Sequence, residues 1–335
     1  MFRSEKQMVE WLKRRRAPAG RGLLLGIGDD AALLRPPVAG TEWVLTTDLM
    51  VEDVHFLARL EPARSVGHRA LARGLSDVAA MGGRPRFALV SLALSGKAPS
   101  KWFREFHQGL QSLARRYNVT LVGGDTALSP RGTVVDTVLV GEVRSGFAVR
   151  RSGASPGDRI FVSGGVGLSA WGGKLIRSKL RPVHRLQRAA VRSHLYPTPR
   201  CTLGERLALN RSASAMIDVS DGLALDLHRL CEASGVGARL GADSIPHPAP
   251  TGNLLQRHEA LRLALEGGED YELLFTVSPK KVRRLSAKPA GVALTEIGEI
   301  TRGRKIEIVQ DGKTRRLASG GYDHFRRKKS EPRLF

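Results

Sequence analysis

The sequence predicts two α/β domains, one after the other. Short apolar segments of strand length alternate with segments of helical period along most of the 335 residues, which is the pattern of layered α/β folds. A chain of this length is also expected to divide into two domains of ordinary size. Turn-forming residues crowd the stretch 151–158, as is typical of a domain junction. We therefore predict an N-terminal domain at residues 1–150, a C-terminal domain at 151–325 and a basic tail at 326–335.

The predicted elements of the first half begin with a helix at residues 6–15. A strand at 43–45 follows a Gly- and Pro-rich stretch and leads directly into Thr46, Thr47 and Asp48. Apolar residues recur at helical spacing over residues 64–81, which places Asp77 near the end of a buried helix. A strand at 87–94, a helix at 101–117 and strands at 119–122 and 133–143 complete this half.

The second half repeats this style. A strand at 159–163 and a glycine-rich turn at 164–167 precede basic helices that break at Pro182, since proline interrupts helices. The strand at 215–217 ends in an acidic group that starts with Asp218, just as the strand at 43–45 ends beside Asp48. The other predicted elements are helices at 202–210, 223–233 and 254–265, strands near Ala238 and at 271–277 and 293–297, and a hairpin of residues 305–309 and 314–317.

Composition excludes several classes of protein. Apolar residues make up 41% of the chain, enough for packed cores and too many for a disordered polyelectrolyte. The two cysteines, Cys201 and Cys231, are too few for a zinc cluster or a disulfide framework, and we expect buried thiols in a reducing compartment. The basic N-terminus lacks the apolar run of a signal peptide, and no later segment reaches membrane-spanning length. These features predict a soluble, cytoplasmic protein.

Net charge points to anionic partners. The chain has 54 Lys and Arg against 32 Asp and Glu, a formal charge of +22. No acidic residue occurs between Arg159 and Gly204, and Arg185, Arg188 and Arg192 would share one helical face. Salt-sensitive binding to nucleic acid therefore stays open as an alternative, although aromatic residues are only 5% of the chain and no nucleic-acid-binding motif is present.

The acidic residues gather in six short phrases, most of them beside glycine. These are Gly28-Asp29-Asp30, Thr46-Thr47-Asp48, Ser76-Asp77, Gly123-Gly124-Asp125, Asp218-Val219-Ser220-Asp221 and Gly267-Gly268-Glu269-Asp270. Buried carboxylates are unfavourable by several kcal/mol each unless they are paired or bind metal. Oxygen ligands without a Cys pair or a His-x-x-x-His motif favour Mg²⁺. The phrases therefore predict a site for several divalent cations.

Such a site suits a nucleoside triphosphate. Mg²⁺ usually shares its oxygen ligands with substrate phosphates, and the glycines before Asp29, Asp125 and Glu269 would let phosphate approach the backbone. Each phrase also has a plainer interpretation as a turn or helix cap, and for residues 218–221 taken alone we would favour a cap. The occurrence of six phrases in one chain favours the metal site.

Nine motifs, taken in order, resemble those of a known family. They are GIGDDAALL (26–34), TTD (46–48), HF (55–56), LSDVAAMG (75–82), VGGDT (122–126), RSGA (151–154), IDVSDGL (217–223), GGEDYEL (267–273) and GYDHF (321–325). Together they resemble the thiamine-monophosphate kinases, members of the aminoimidazole-ribonucleotide synthetase-like ATP-binding superfamily. The resemblance implies a two-domain fold of that superfamily, in a homodimer whose N-terminal sheets pair, and the phosphorylation of thiamine phosphate by ATP to thiamine diphosphate.

The resemblance also implies roles for individual residues. The implied metal ligands are Asp30, Thr46, Thr47, Asp48, Asp77, Asp125, Asp218 and Asp221. The implied nucleotide contacts are Tyr117, Gly124, Arg151 and Ser220, and the implied thiamine phosphate contacts are His55, Glu269 and Tyr322. A phosphate acceptor is already largely ionised near neutral pH, because its second pKa is about 6. We therefore expect direct in-line attack without a general base, assisted by the metal ligands Asp48, Asp77 and Asp125.

The nearest rival activity belongs to the same superfamily. A synthetase related to aminoimidazole-ribonucleotide synthetase would use ATP to activate an amide or another oxyanion. Siblings that use a reactive cysteine near the N-terminus or at the C-terminus are disfavoured, because this chain has neither. The GGEDYEL and GYDHF motifs favour the kinase over the purine-pathway synthetase.

Overall fold

The computed structural model describes residues 23–25, 29–35, 40–250, 255–285 and 289–322, which form two β-sheets with packed helices. The helix expected at residues 6–15 and the basic tail lie outside the described residues. The first sheet ends at Arg144 and the second begins at Arg159. The predicted domain boundary therefore falls in the segment that connects the sheets.

The first sheet has six strands in the order β1-β2-β3-β6-β4-β5. Their bounds are β1 Leu23–Leu25, β2 Ala32–Leu34, β3 Thr41–Val51, β4 Arg84–Ser95, β5 Thr120–Ser129 and β6 Val134–Arg144. The β4–β5 pair is parallel and the other pairs are antiparallel. One face packs on two helices, while the other leaves large apolar side chains exposed, among them Trp43, Phe87, Leu89 and Val122.

Helices α1 (Ala63–Ala80) and α2 (Ser100–Arg116) cover the packed face. The apolar positions that predicted the first helix, including Val66, Leu75 and Val78, are fully buried. The two helices approach closely at Gly67, where an added Cβ would lie 1.9 Å from the carbonyl oxygen of Phe106. This tight crossing fixes α1, which carries several of the site residues.

The second sheet has seven strands in the order β13-β12-β9-β11-β7-β10-β8. Its strands are β7 Arg159–Ser163, β8 Ala215–Val219, β9 Gly237–Gly241, β10 Glu272–Val277, β11 Leu294–Thr301, β12 Ile306–Gln310 and β13 Lys313–Arg316. The accompanying helices are α3 Leu168–Arg177, α4 Arg185–Leu195, α5 Cys201–Leu209, α6 Leu223–Ser234, α7 Arg257–Glu266 and the single turn α8 Pro279–Val282. Strands β8 and β10 are buried along their whole length, which positions the loops at their ends firmly.

The prediction of two α/β domains is confirmed, but several strand lengths were wrong. The strand expected at 43–45 extends over Thr41–Val51, so Asp48 lies within it and not after it. The strand expected at 119–122 continues to Ser129 and includes Asp125. A prediction that relies on runs of apolar residues ends a strand too early when the strand continues through polar residues. Both cysteines are buried and unpaired, and none of the helices in the described ranges has the length and apolar character that crossing a bilayer requires.

Candidate functional site

Three carboxylates from distant parts of the chain meet where the two domains touch. Asp30 lies just before β2, Asp77 in α1 and Asp218 in β8, and one oxygen of each lies within 4.8 Å of the others. The hydroxyl of Ser76 joins the two domains, because its Oγ donates a hydrogen bond to Oδ2 of Asp218 at 2.6 Å. We call Asp30, Asp77 and Asp218 the carboxylate cluster.

The carboxylate cluster is electrostatically unfavourable without a cation. Burial, and after it the charges of Asp48 and Asp218, raises the pKa of Asp77 well above its usual range. Burial and the charge of Asp30 raise the pKa of Asp218 in the same way. Three hard oxygen donors, of which Asp77 and Asp218 resist ionisation, fit a divalent cation such as Mg²⁺, whose charge would favour the ionised form of those two. The geometry therefore brings together three of the predicted metal ligands.

Strand β3 adds further oxygen atoms to one side of the carboxylate cluster. Thr46 and Asp48 are two residues apart and point to the same face of the sheet, toward α1. The hydroxyl of Thr46 donates to Oδ2 of Asp77 at 2.5 Å. Thr47 points to the opposite face, where its hydroxyl donates to Oδ1 of Asp136 at 2.7 Å. Its side chain is not brought to the cluster, and its role as a ligand stays a prediction.

Arg151 borders the carboxylate cluster at the domain junction. Its Nε and Nη2 donate to the two oxygens of Asp30 at 2.9 and 2.8 Å, and its backbone N–H donates to Asp29 at 3.3 Å. Burial and the charge of Asp30 nevertheless raise the pKa of Asp29 to about 6. A guanidinium fork binds phosphate as well as carboxylate, and the Arg151 side chain is 20% exposed. Its position suits the predicted contact to a nucleotide phosphate.

Helix α1 carries a charged stripe that the sequence analysis did not single out. Arg69, Arg73 and Asp77 follow one another at intervals of four residues and therefore share one face of the helix. Arg73 donates from Nε and Nη2 to Oδ1 of Asp48 at 3.2 and 3.1 Å. Arg69 is fully buried and donates from Nη2 to both carboxylate oxygens of Glu269 at 2.7 and 2.8 Å. The spacing was visible in the sequence, but 54 basic residues gave no reason to select these two.

Glu269 is the centre of a second group of charged side chains, beside the carboxylate cluster. Nη1 of Arg69 donates to Oε2 of Glu61 at 2.5 Å, and Nη2 of Arg69 donates to the backbone carbonyl of His55 at 2.6 Å. Arg69 therefore links Glu269 to both residues. Nδ1 of His194 lies 3.6 Å from Oε2 of Glu269. Burial acts to raise the pKa of Glu269, but the guanidinium of Arg69, helped by weaker charges, lowers it to about 2. Glu269 is therefore an ionised carboxylate in a largely enclosed position.

The loop before β10 holds Glu269 in an uncommon backbone conformation. Glu269 and Tyr271 have φ angles of 67° and 52°, in the left-handed region that residues other than glycine rarely adopt. The N–H of Glu269 donates to the carbonyl of Ser220 at 2.8 Å, and that of Tyr322 donates to the carbonyl of Asp221 at 3.0 Å. Burial first, and then the charge of Glu269, raises the pKa of the Tyr322 phenol. Of the other predicted substrate contacts, His55 is joined to Glu269 through its backbone carbonyl and Arg69, and Tyr322 lies within electrostatic range of Glu269.

The turn after β8 is held by an aspartate that the sequence analysis did not select. Asp226 in α6 accepts the N–H groups of all three turn residues, each at 3.1 Å. Ser220 donates its hydroxyl to Oδ1 of Asp218 at 3.2 Å, which places it at the carboxylate cluster. Asp221 instead pairs with Arg229 at 2.6 Å. Ser220 is therefore near its predicted partners, whereas Asp221 is engaged by an arginine of α6.

Asp125, Gly124 and Tyr117 lie apart from the carboxylate cluster within one chain. The strand register runs from Asp48 in β3 through Thr137 in β6 and Val90 in β4 to Gly124 in the edge strand β5. Three strand spacings separate Asp48 from Gly124 by about 14 Å. Tyr117, at the end of α2, donates its hydroxyl to the carbonyl of Pro199 at 2.7 Å. One chain therefore does not bring these three predicted contacts to the cluster.

Both domains of the chain match a known protein family. The N-terminal domain of the AIR synthase related proteins matches residues 28–143, and the C-terminal domain of the same proteins matches residues 155–311. Among curated relatives, the thiamine-monophosphate kinase of Salmonella typhimurium is 38% identical over 90% of this chain and 91% of its own length. That of Bacillus subtilis is 36% identical over 90% of this chain and 94% of its own.

Solved structures give the same result. "AaThiL complexed with AMPPCP and TMP" superposes with a TM-score of 0.82 at 30% identity and covers 96% of this chain and 97% of that one. The thiamine-monophosphate kinase of Stenotrophomonas maltophilia superposes with a TM-score of 0.74 at 36% identity, covering 92% and 95%. Hydrogenase maturation protein HypE matches at 19% identity with a TM-score of 0.64, a similarity that concerns the fold alone.

Proposed function

We propose, because the chain belongs to the thiamine-monophosphate kinase family, that it transfers the γ-phosphoryl group of ATP to thiamine phosphate. As a member of that family it is a phosphotransferase. The products of the proposed reaction are ADP and thiamine diphosphate. The observation that carries the proposal is the buried carboxylate cluster beside Arg151 on one side and Glu269 on the other. We also propose that the protein acts in the cytoplasm.

The transfer itself is proposed to be a direct in-line displacement. An oxygen of the thiamine phosphate forms the new bond to the γ-phosphorus, while the bond from that phosphorus to the β,γ-bridging oxygen breaks and ADP leaves with the electron pair. The attacking phosphate needs no general base, because its second pKa is about 6. The protein's task is then to position two anions and to neutralise their charge.

The residues at the carboxylate cluster would hold the divalent ions. Asp30, Asp77 and Asp218 would be ligands, with Thr46 and Asp48 at the adjoining edge of β3. Bound Mg²⁺ would supply positive charge to the transferring phosphoryl group. Arg151 and Ser220, which already contact the cluster, would orient the nucleotide phosphates.

The acceptor would lie on the Glu269 side of the cluster. The ionised carboxylate of Glu269 suits the positively charged thiazolium ring of thiamine phosphate, and the half-exposed Tyr322 lies at the open edge of that region. His55 is linked to Glu269 through Arg69. The arrangement supports the predicted substrate contacts His55, Glu269 and Tyr322.

A homodimer would explain the residues that one chain leaves apart. The exposed apolar face of the first sheet carries Trp43, Phe87 and Leu89, and large apolar side chains together on a surface are typical of an interface. Asp125 and Gly124 lie on the edge strand β5, remote from their own carboxylate cluster. We propose that the N-terminal sheets of two copies pair and that Asp125, Gly124 and Tyr117 serve the site of the second copy.

One assay tests the reaction. The purified chain is incubated with Mg-ATP and thiamine phosphate, and we expect equal amounts of ADP and thiamine diphosphate. ADP released with an aminoimidazole-ribonucleotide precursor, and not with thiamine phosphate, would select the sibling synthetase. Retention on DNA at physiological salt without ATP consumption would favour the nucleic-acid-binding alternative.

A further inference from the structure

Arg73 lies between the two halves of the candidate site. Its Nη2 is 3.1 Å from Oδ1 of Asp48, on the metal side, and its Nη1 is 3.7 Å from Oε1 of Glu269, on the acceptor side. The Arg73 side chain is 18% exposed, and its guanidinium lies between these two carboxylates. In a phosphoryl transfer to thiamine phosphate, the acceptor phosphate must lie between the metal-bound nucleotide and the rest of the acceptor molecule.

Two features show that Arg73 is not needed as a counter-ion for Glu269. Arg69 already gives Glu269 two hydrogen bonds, at 2.7 and 2.8 Å, from a fully buried position. In the part of the chain that the structure describes, Nη1 of Arg73 donates no hydrogen bond, since 3.7 Å is too long for one. Both N–H groups of Nη1 are therefore available to an anion.

The hydroxyl of Tyr271 is a second available donor at the same place. Tyr271 is 2% exposed, and its Oη has no hydrogen-bond partner among the described residues. Its hydroxyl interacts electrostatically with Arg73 first, and then with Glu269, Arg69 and Asp48, and Tyr271 is in turn the first of the electrostatic partners of Arg73. A buried hydroxyl without a partner is unfavourable by about 1–3 kcal/mol, and a bound ligand oxygen would remove that penalty.

We propose that Nη1 of Arg73 and the hydroxyl of Tyr271 form a binding subsite for the phosphate group of the acceptor. The inference rests on the proposed function and adds Arg73 and Tyr271 to the residues proposed to bind thiamine phosphate. The guanidinium partly neutralises the acceptor phosphate beside the nucleotide, and the phenol donates to a second oxygen of the same group. Arg73 contacts the substrate and thus belongs to the binding machinery of the site.

Equilibrium binding separates this role from a structural one. Kd values for thiamine phosphate and for thiamine, which lacks the phosphate, are measured by calorimetry with Mg²⁺ and without ATP. In Arg73→Met we expect thiamine phosphate to bind about 30-fold more weakly, because a charge-assisted contact is lost, while the Kd of thiamine stays within about twofold. Arg73→Lys should recover part of the loss, since it keeps the charge but not the fork. Tyr271→Phe should weaken only thiamine phosphate, by about fivefold.

Controls distinguish the other outcomes. Arg64→Met changes an exposed arginine of the same helix and should leave both Kd values as in the wild type. Equal weakening of both ligands by Arg73→Met would overturn the proposal in favour of a structural role, and unchanged Kd values for both ligands would overturn it as well. Weaker binding of AMPPCP with an unchanged ratio would assign Arg73 to the γ-phosphate of ATP instead. Selective binding of thiamine phosphate by a wild-type protein that forms no thiamine diphosphate would reject the proposed function and leave the subsite standing.

Discussion

Asp218 is a proposed metal ligand whose burial beside another carboxylate lowers the stability of the fold. It is 2% exposed, and burial and the charge of Asp30 raise its pKa well above the usual range. Asp218→Asn removes the charge and keeps an oxygen for the Ser76 hydroxyl. We predict that this variant loses turnover by about a thousandfold or more, because a proposed metal ligand is weakened. We also predict that the metal-free protein gains about 1–3 kcal/mol in free energy of unfolding near pH 8.

The pH dependence of that gain has a definite sign. A carboxyl whose pKa is higher in the folded than in the unfolded protein binds more protons when folded, so the stability of the wild type rises as pH falls toward the unfolded value of 3.8. The advantage of Asp218→Asn should therefore shrink near pH 5. Urea denaturation in EDTA at both pH values measures it, with Asp243→Asn, a change at an exposed aspartate, as the control. An equal advantage at both pH values would contradict the prediction.

Glu269 should show the opposite behaviour. Its pKa is lowered to about 2, so its contribution to stability is present above the ordinary value of 4.5 and is lost as pH falls toward 2. Glu269→Gln leaves the buried Arg69 with weaker compensation, and we predict a loss of about 2–4 kcal/mol in free energy of unfolding at pH 7. Guanidinium denaturation measures the loss. Glu299→Gln, in an exposed pair with Arg159, should change stability by less than about 0.5 kcal/mol.

The residues that could be predicted from sequence are those whose type already implies chemistry. Asp30, Asp77 and Asp218 stood out because several short acidic motifs recur in so basic a chain, and the structure brings the three carboxylates together. Arg73 could not be selected, because its partner Asp48 lies on another element and no local pattern joins them. The sequence also could not show to which face of the sheet the Thr47 side chain points. Side chains alternate along a strand, and the extent of this strand was not known.

At the level of elements, α1 is the part of the molecule on which the site depends most. It presents the stripe of Arg69, Arg73 and Asp77, and its crossing with α2 leaves no room for a side chain at Gly67. We predict that Gly67→Ala lowers the free energy of unfolding by about 2–4 kcal/mol, despite the better helix propensity of alanine, because the helices must separate. Gly96→Ala is the control, since its Cβ would meet only a side-chain atom at 3.6 Å. Thermal unfolding that is unchanged in Gly67→Ala would refute the tight crossing.

Helix α4 shows how far a charge pattern can be interpreted. The helical period predicts Arg185, Arg188 and Arg192 on one face, and all three are exposed in the structure. The opposite face carries His194, which is buried near Glu269 with a pKa lowered to about 4, first by burial and then by Arg69. The helical period was sufficient to predict the solvated face. It could not indicate that the other face reaches the site, because that depends on how α4 packs in the domain.

At the scale of the whole molecule, the site exists because two domains meet. Helix α1 of the first domain contributes Asp77 and Ser76, and strand β8 of the second contributes Asp218. Two α/β domains followed from length and pattern, but the meeting of their acidic groups is a property of tertiary packing alone. Packing within one chain leaves other predicted site residues apart from this group, foremost Asp125.

The proposed homodimer predicts that two inactive variants restore activity when they are combined. If Asp125 serves the site of the second copy, a mixed dimer of Asp48→Asn and Asp125→Asn contains one site with both aspartates intact. Random mixing makes half of the dimers mixed, so about a quarter of the wild-type activity should return after the two variants are unfolded and refolded together. If Asp125 acted within its own chain, every site in the mixture would lack one aspartate and no activity would return.

Phe87→Glu in both variants places a charge on the exposed apolar face, and it should abolish the recovery and give a monomer by sedimentation. Leu209→Glu, at an exposed apolar residue of α5, should leave the recovery as it was.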